Sequence, residues 1–232
     1  MTLAMADLAL RTGTDTIVAT PHCLPGMYEN YGDRYLEEIF RETRRVLAEA
    51  GIPLRLMPGM EVMLSGDVQS FLDEKQFWTL NKSQYLLVEF RFDEDPEFCS
   101  AALKAVVKKG FTPIVAHPER YYSVQDDPSL VYRWYLAGYG IQVNKDSILG
   151  RFGRSERAAA LSLLRHNLVT CVASDAHGIR HRTPRLGELR SFLREAFGED
   201  YTYMLMEENP RRILGGRRMV GYDPVAYSEG DS

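Results

Sequence analysis

The chain has 232 residues, 45% of them hydrophobic, which is enough to bury a substantial core as one α/β barrel or two small domains. Charged residues make up 26% and the formal net charge is -4, a mild acidity that argues against a dedicated nucleic-acid binder. No apolar stretch approaches the ~20 residues needed to span a bilayer. The opening MTLAMADLALRTG has no basic start and is interrupted by Asp7, so it does not read as a secretory leader. A soluble cytoplasmic protein is expected.

Strands and helices alternate along the chain. A helix over 2–11 is followed by short strands at 16–19, 54–57, 85–90, 113–116, 141–143 and 169–173. They are continuous Val/Ile/Leu runs, as expected when both faces of a strand are covered. Between them lie helical patterns at 33–50, 97–109, 156–166 and 185–197, with a last short helix in ENPRRIL. The first of these carries a stripe of Leu36, Ile39, Phe40, Val46 and Leu47; Asp33 is placed to cap it and Gly51-Ile52-Pro53 to stop it. Such alternation predicts a parallel sheet. The segment after Gly216 is polar and glycine-containing, and is expected to be a flexible tail over 217–232, leaving 1–216 as one domain.

The strand ends carry the chemistry. In a parallel barrel, active sites form at the C-terminal ends of the strands. Here those ends deliver His22, Glu61, Glu89, His117, and Asp175 with His177. The chain holds five histidines in all, so three at such positions point to a shared rim. Imidazole and carboxylate together suit borderline-to-hard divalent metals: Zn, Mn, Fe or Mg. Six such residues exceed what one ion needs and suggest two or more. Each has a plainer reading. His22 alone could be structural, Glu89 inside YLLVEF could pair with Arg91, and Asp175 and His177 could cap a helix. His166 and His181 read as a helix-end and a loop residue. Arg120, Arg180 and Arg182 follow the ligand candidates closely and could hold phosphate oxygens bidentately. Cys23, Cys99 and Cys171 form no CxxC pair and read as free, buried thiols. The residues therefore point to a metal-dependent phosphoester hydrolase.

ATPH, GME, LLVEF, IVAHPERY, SILGRFG, VASDAH and ENPRRIL, in this order, resemble the PHP-superfamily protein-tyrosine phosphatases of bacterial capsule and exopolysaccharide operons. The resemblance runs from residue 1 to about residue 216. It implies an α/β fold, a distorted (β/α)7 barrel holding three metals, commonly manganese, with Fe, Zn, Co or Mg as other divalent options. It implies dephosphorylation of a tyrosine-phosphorylated autokinase that controls polysaccharide assembly, by attack of a metal-bound hydroxide on phosphorus. On the family's pattern Glu61, Glu89 and His117 hold one metal, Glu61 bridges to a second that Asp175 also ligates, and His22 and His177 share a third. Arg120 and Arg182 grip the phosphate. No cysteine nucleophile is required.

The resemblance also implies an opening strand with Asp-x-His-x-His, followed by a loop with LPG and an aspartate. The sequence holds no such strand, and the CLPG at 23–26 follows His22 and is not that motif. A barrel missing its first strand is therefore expected, from a longer native chain or from one that is short and weakened. Unpaired edges would then favour association, so an oligomer is possible. A histidinol-phosphate phosphatase-like enzyme and a non-catalytic autokinase-docking protein are the rival readings.

Overall fold

The computed structural model describes residues 1–24, 28–74 and 76–228; Pro25 and Gly26 of the CLPG stretch and the last four residues lie outside the described residues. The elements in chain order are α1 (Thr2–Arg11), β1 (Thr16–Ala19), β2 (His22–Leu24), β3 (Tyr28–Glu29), α2 (Arg34–Glu49), β4 (Arg55–Pro58), β5 (Glu61–Met63), α3 (Val68–Glu74), β6 (Tyr85–Glu89), α4 (Pro96–Lys108) and β7 (Thr112–Ala116). They continue as α5 (Tyr122–Asp126), α6 (Ser129–Leu136), β8 (Gly140–Asn144), α7 (Lys145–Ile148), α8 (Arg154–Arg165), β9 (Cys171–Ala173), α9 (Gly187–Phe197), α10 (Glu199–Tyr203) and α11 (Asn209–Leu214). A short π-helical stretch, Met204–Glu208, joins the last two.

Seven strands form one sheet in the order β3-β2-β5-β6-β7-β8-β9, while β1 and β4 form a separate parallel pair. All pairings are parallel except β2 with β3. The two sheets are two halves of the same strand tracks. β1 runs on into β2 across Thr20-Pro21, and β4 into β5 across Gly59-Met60. Proline has no N–H to give a ladder, so both tracks step where it occurs. Gly59 fits this step because a Cβ there would lie 2.9 Å from Val18 Cγ1 and 3.0 Å from Leu80 Cδ2. The sequence predicts one strand over 54–57 with Glu61 just beyond its end; instead Glu61 opens a further strand, β5, in register with His22 at the start of β2. A three-residue segment after a break carries too little periodicity to be read as a strand.

Side chains alternate between two apolar layers. Leu86 and Val88 of β6, Val115 of β7, Ile141 and Val143 of β8 and Val172 of β9 pack outward on the helices in the main core. Tyr85, Leu87, Ile114, Ala116 and Cys171 face inward, with Leu80 and Ile213. Both faces being covered explains the continuous apolar runs. The helices start as their sequences dictate: the Asp33 carboxylate accepts from Leu36 N (3.0 Å), and that of Asp95 from Glu97 N and Phe98 N (2.9 and 2.8 Å). Of the α2 stripe, Leu36 and Leu47 are buried, but Ile39 is 44% exposed. The amphipathic face is narrower than its hydrophobic pattern.

Among the described residues no strand lies between β9 and β1, so the sheet curls without closing. A cleft of about 1070 Å³ opens there on the concave side, lined by Val18, Leu87, Ile114, Cys171 and Leu214. It reaches His22, Glu61, Asp175 and His177.

Residues 217–228 carry no helix or strand and run back over the helices. Val225 N donates to His166 O (3.0 Å), and the Tyr227 ring stacks on His166 at 3.8 Å. Asn209 anchors this return: its buried amide donates to Thr170 O and Val220 O (both 2.8 Å), and its Oδ1 accepts from Val220 N (2.9 Å). Asn209→Ala removes all three bonds and should lower the unfolding free energy by about 2–4 kcal/mol in a urea titration. A loss below about 0.5 kcal/mol would show that the return is held by its other contacts.

Candidate metal centre

Glu61 and Leu87 are paired in register, and Glu89 lies two residues beyond Leu87 on the same face of β6. Both carboxylates therefore point into the concave side, each only 5% exposed. A carboxylate is costly to bury without a partner. Arg91 is not that partner, because it is engaged with Asp93 (2.9 and 3.0 Å). Two histidines are. His22 Nδ1 lies 2.9 Å from Glu89 Oε1 and 3.3 Å from Glu61 Oε2. His117 Nε2 lies 3.1 Å from Glu61 Oε1 and 3.6 Å from Glu89 Oε2. Four side chains from four adjacent strand tracks thus alternate imidazole and carboxylate around one point. Ligand atoms of His22, Glu61 and Glu89 lie within 4.8 Å of one another, which suits a divalent cation.

The backbone enforces this. His117 follows directly on β7 and has φ +36°, in the left-handed region, although it precedes a proline. Non-glycine residues there are strained by roughly 1–3 kcal/mol and persist only where the surroundings over-determine them. Asp175 (φ +45°) and Arg182 (φ +46°) share the feature. Asp175 caps no helix here, since α9 starts only at Gly187.

Asp175 organises a second group. Its Oδ2 accepts from Asn144 Nδ2 (2.7 Å) and pairs closely with Arg182 Nη2, while Arg120 Nη1 lies 3.9 Å away. Arg182 Nε also donates to the Asp175 carbonyl (3.2 Å). Two guanidinium groups thus converge on one carboxylate. The Phe152 ring lies 4.8 Å from the Arg120 guanidinium and 5.8 Å from that of Arg182, and Phe92 packs on the far side of Arg120 at 4.3 Å. His177 sits beside Asp175, Nδ1 to Oδ1 3.5 Å, with its ring 6.0 Å from that of His22. The resemblance pairs His22 with His177; by distance His22 keeps company with Glu89 and Glu61. Arg180 and His181 are exposed in the loop, and His166 ends α8.

The sequence reading missed four contributors. Asn144 holds Asp175. Glu119 is fully buried, its Oε1 accepting from Asn144 N (3.0 Å) and Ser147 Oγ (2.6 Å). Its Oε2, like His117 Nδ1, has no hydrogen-bond partner among the described residues. Phe92 and Phe152 flank the arginines. The usable signal was NKDS, a polar run that ends an apolar strand as the histidine motifs do.

The cysteines are free and buried. Burial pushes the Cys23 thiol up to about 11 and those of Cys99 and Cys171 up to about 12, so none is an activated thiolate.

A parallel α/β sheet bearing a histidine–carboxylate cluster at its strand ends defines a metal-site protein of the PHP type. The chain matches the family model described as "Capsular polysaccharide synthesis, CpsB/CapC" over residues 1–215, and it belongs to that family. It is 36% identical to tyrosine-protein phosphatase YwqE of Bacillus subtilis over 222 residues, 96% of this chain and 87% of that protein. It is 29% identical to tyrosine-protein phosphatase CpsB of Streptococcus pneumoniae over 216 residues, 91% of this chain and 88% of that protein. Among solved structures, one from the work on YwqE and CpsB as unique metal-dependent tyrosine phosphatases superposes with a TM-score of 0.89 at 33% identity, covering 98% of this chain and 91% of that one.

Protons and a metal ion would compete for this site. The hydrogen bond to Glu89 raises the pKa of His22 against the opposing effect of its burial, aided by the charges of Glu61, Glu89 and Asp175. Burial lowers that of His117, but the hydrogen bond to Glu61 and the charges of Glu61, Glu119 and Glu89 outweigh it and raise it overall. Raised folded values mean that these pairs stabilise the metal-free chain fully below the unfolded pKa of about 6.5, and that this contribution fades as pH rises through the folded values. A cation held here would need the neutral imidazoles, so its binding would strengthen as pH rises and would release protons. In chelator the melting temperature should fall from pH 6 to pH 8.5, while the rise produced by added manganese should grow. A metal-induced shift that shrinks with increasing pH would contradict this.

Proposed function

We propose that this chain is a metal-dependent protein-tyrosine phosphatase. The observation that carries the reading is the His22/Glu61/Glu89/His117 cluster set beside two converging arginines in a chain of the CpsB/CapC family. We further assign manganese as the preferred ion, a tyrosine-phosphorylated autokinase of polysaccharide assembly as substrate, and the cytoplasm as the place of action. Among the described residues no helix is long and apolar enough to cross a membrane, which fits that assignment.

His22, Glu61, Glu89 and His117 would hold the ion, with Asp175 and His177 available as donors toward a second. A bound divalent cation supplies positive charge and a water of lowered pKa. Arg120 and Arg182 would grip the phosphoryl oxygens in the charge-assisted, bidentate manner of guanidinium groups. The Phe92 and Phe152 rings lie against the Arg120 guanidinium and favour its charge through their π faces. Tyrosine is a favourable leaving group, since a phenol of pKa about 10 departs with less need for a proton donor than an alcohol does. The buried, protonated thiols argue against a phosphocysteine route.

Hydrolysis of a phosphotyrosyl peptide should therefore depend on added manganese. Glu89→Gln keeps the shape but removes charge from the centre, and should lower kcat/KM by about 100-fold or more. Metal-independent turnover, or full activity in Glu89→Gln, would overturn the reading. Preferred turnover of histidinol phosphate would replace it with a small-molecule phosphoesterase, and binding of the autokinase without turnover would replace it with a docking role. Arg182→Ala should mainly raise KM, by about tenfold, the value of one charged hydrogen bond; an unchanged KM would remove Arg182 from the phosphate grip.

A further inference from the structure

Lys145, the first residue of α7, is 1% exposed. Lysine is almost never so buried unless its ammonium is paired. Its Nζ donates to the carbonyl of Thr183 at 2.6 Å, and Asp146 Oδ1 lies 3.5 Å away. Asp146 does not depend on it, because Arg151 Nη1 binds the same oxygen at 2.9 Å while Arg151 Nη2 reaches Glu188 Oε2 at 2.5 Å. The nearest strong acceptor of the buried ammonium is therefore the backbone next to Arg182.

That loop is otherwise tied mainly to itself, His177 Nδ1 lying 3.0 Å from the Asp175 carbonyl oxygen. Residues 174–186 contain no helix or strand. The loop closes on itself through His177 N to Arg182 O (2.8 Å), with Gly178 N at 3.4 Å from the same oxygen. Arg182 adopts a left-handed backbone and reaches back to Asp175, and Pro184 follows Thr183. Something must keep the strained arginine turned toward the site when its guanidinium leaves Asp175 for another anion. Lys145 is placed for this. It stands on the short α7, which Glu119 ties through Asn144 N and Ser147 Oγ to the turn bearing His117 and Arg120.

We propose that Lys145 is the positioning residue of the phosphate grip: its ammonium, bonded to the Thr183 carbonyl, locks the 176–183 loop so that Arg182 faces the same point as Arg120. The proposal deepens the phosphatase reading and rests on it for the role of Arg182.

Lys145→Met keeps the length and apolar stem of the side chain and removes the donor. In the manganese-loaded chain it should raise KM for a phosphotyrosyl peptide about fivefold and change kcat less than about twofold. Combined with Arg182→Ala it should add little further loss, because both act on one group. Losses that multiply in the double variant, or an unchanged KM, would overturn the proposal. Hydrogen exchange provides a readout independent of turnover. The His177 and Gly178 amides should exchange about tenfold faster in Lys145→Met, with β6 and β7 amides unchanged. Equal protection in both chains would overturn the tether. Should Lys145→Met not fold, the same comparison in Lys145→Gln, whose shorter amide stops short of Thr183, carries the same two outcomes. If the wild-type chain hydrolyses no phosphotyrosyl peptide, the site reading fails by itself and hydrogen exchange alone decides the tether.

Discussion

Glu61 and Glu89 carry two negative charges into an apolar sheet, and the architecture of the functional end answers that one constraint. Among the described residues neither carboxylate has an arginine or lysine partner near enough to neutralise it; His22 and His117 stand on either side instead. Imidazoles meet the charge only while they are protonated, so without a metal the cluster holds together best at low pH. A divalent cation held there would supply the same positive charge at higher pH and from a fixed point. The step in the first two strand tracks and the left-handed turn at His117 make sense as the means of bringing four short side chains to that point.

The charge pattern beyond the centre follows a similar logic. Asp175 is answered by Arg182 and Arg120, and the Phe92 and Phe152 rings lie against those guanidinium groups. An arginine held by aromatic faces keeps its N–H edges available to an anion in a way that one locked in several carboxylates does not. The buried polar residues Glu119, Asn144, Ser147 and Lys145 brace this arrangement from beneath, and they belong to the turn after β7 and to the β8–α7 junction.

Much of this could be read in the sequence, and what could not has physical causes. The strands at 16–19 and 85–90 declared themselves by continuous apolar runs, and α2 by its cap at Asp33. Strands β2 and β5 did not, because three residues beyond a proline or glycine break carry no period. Polar residues that interrupt apolar runs marked His22, Glu61, Glu89 and His117 as sharing a rim. Their closeness is a matter of register, and the pairing of His22 with Glu61 across adjacent tracks depends on both chains stepping at the same level. Asn144 and Lys145 went unread because an amide and a lysine at a strand end look like an ordinary solvated turn; only their burial shows otherwise. Phe152, in the loop after α7, shows its part only through the two guanidinium groups that lie against it.

One divalent cation is proposed to sit among His22, Glu61, Glu89 and His117. Anomalous diffraction from manganese-soaked crystals tests it most directly. A peak within about 2.0–2.4 Å of at least three of these four side chains is the predicted result. A peak confined to Asp175 and His177, or none at saturating manganese in well-ordered crystals, would contradict the account.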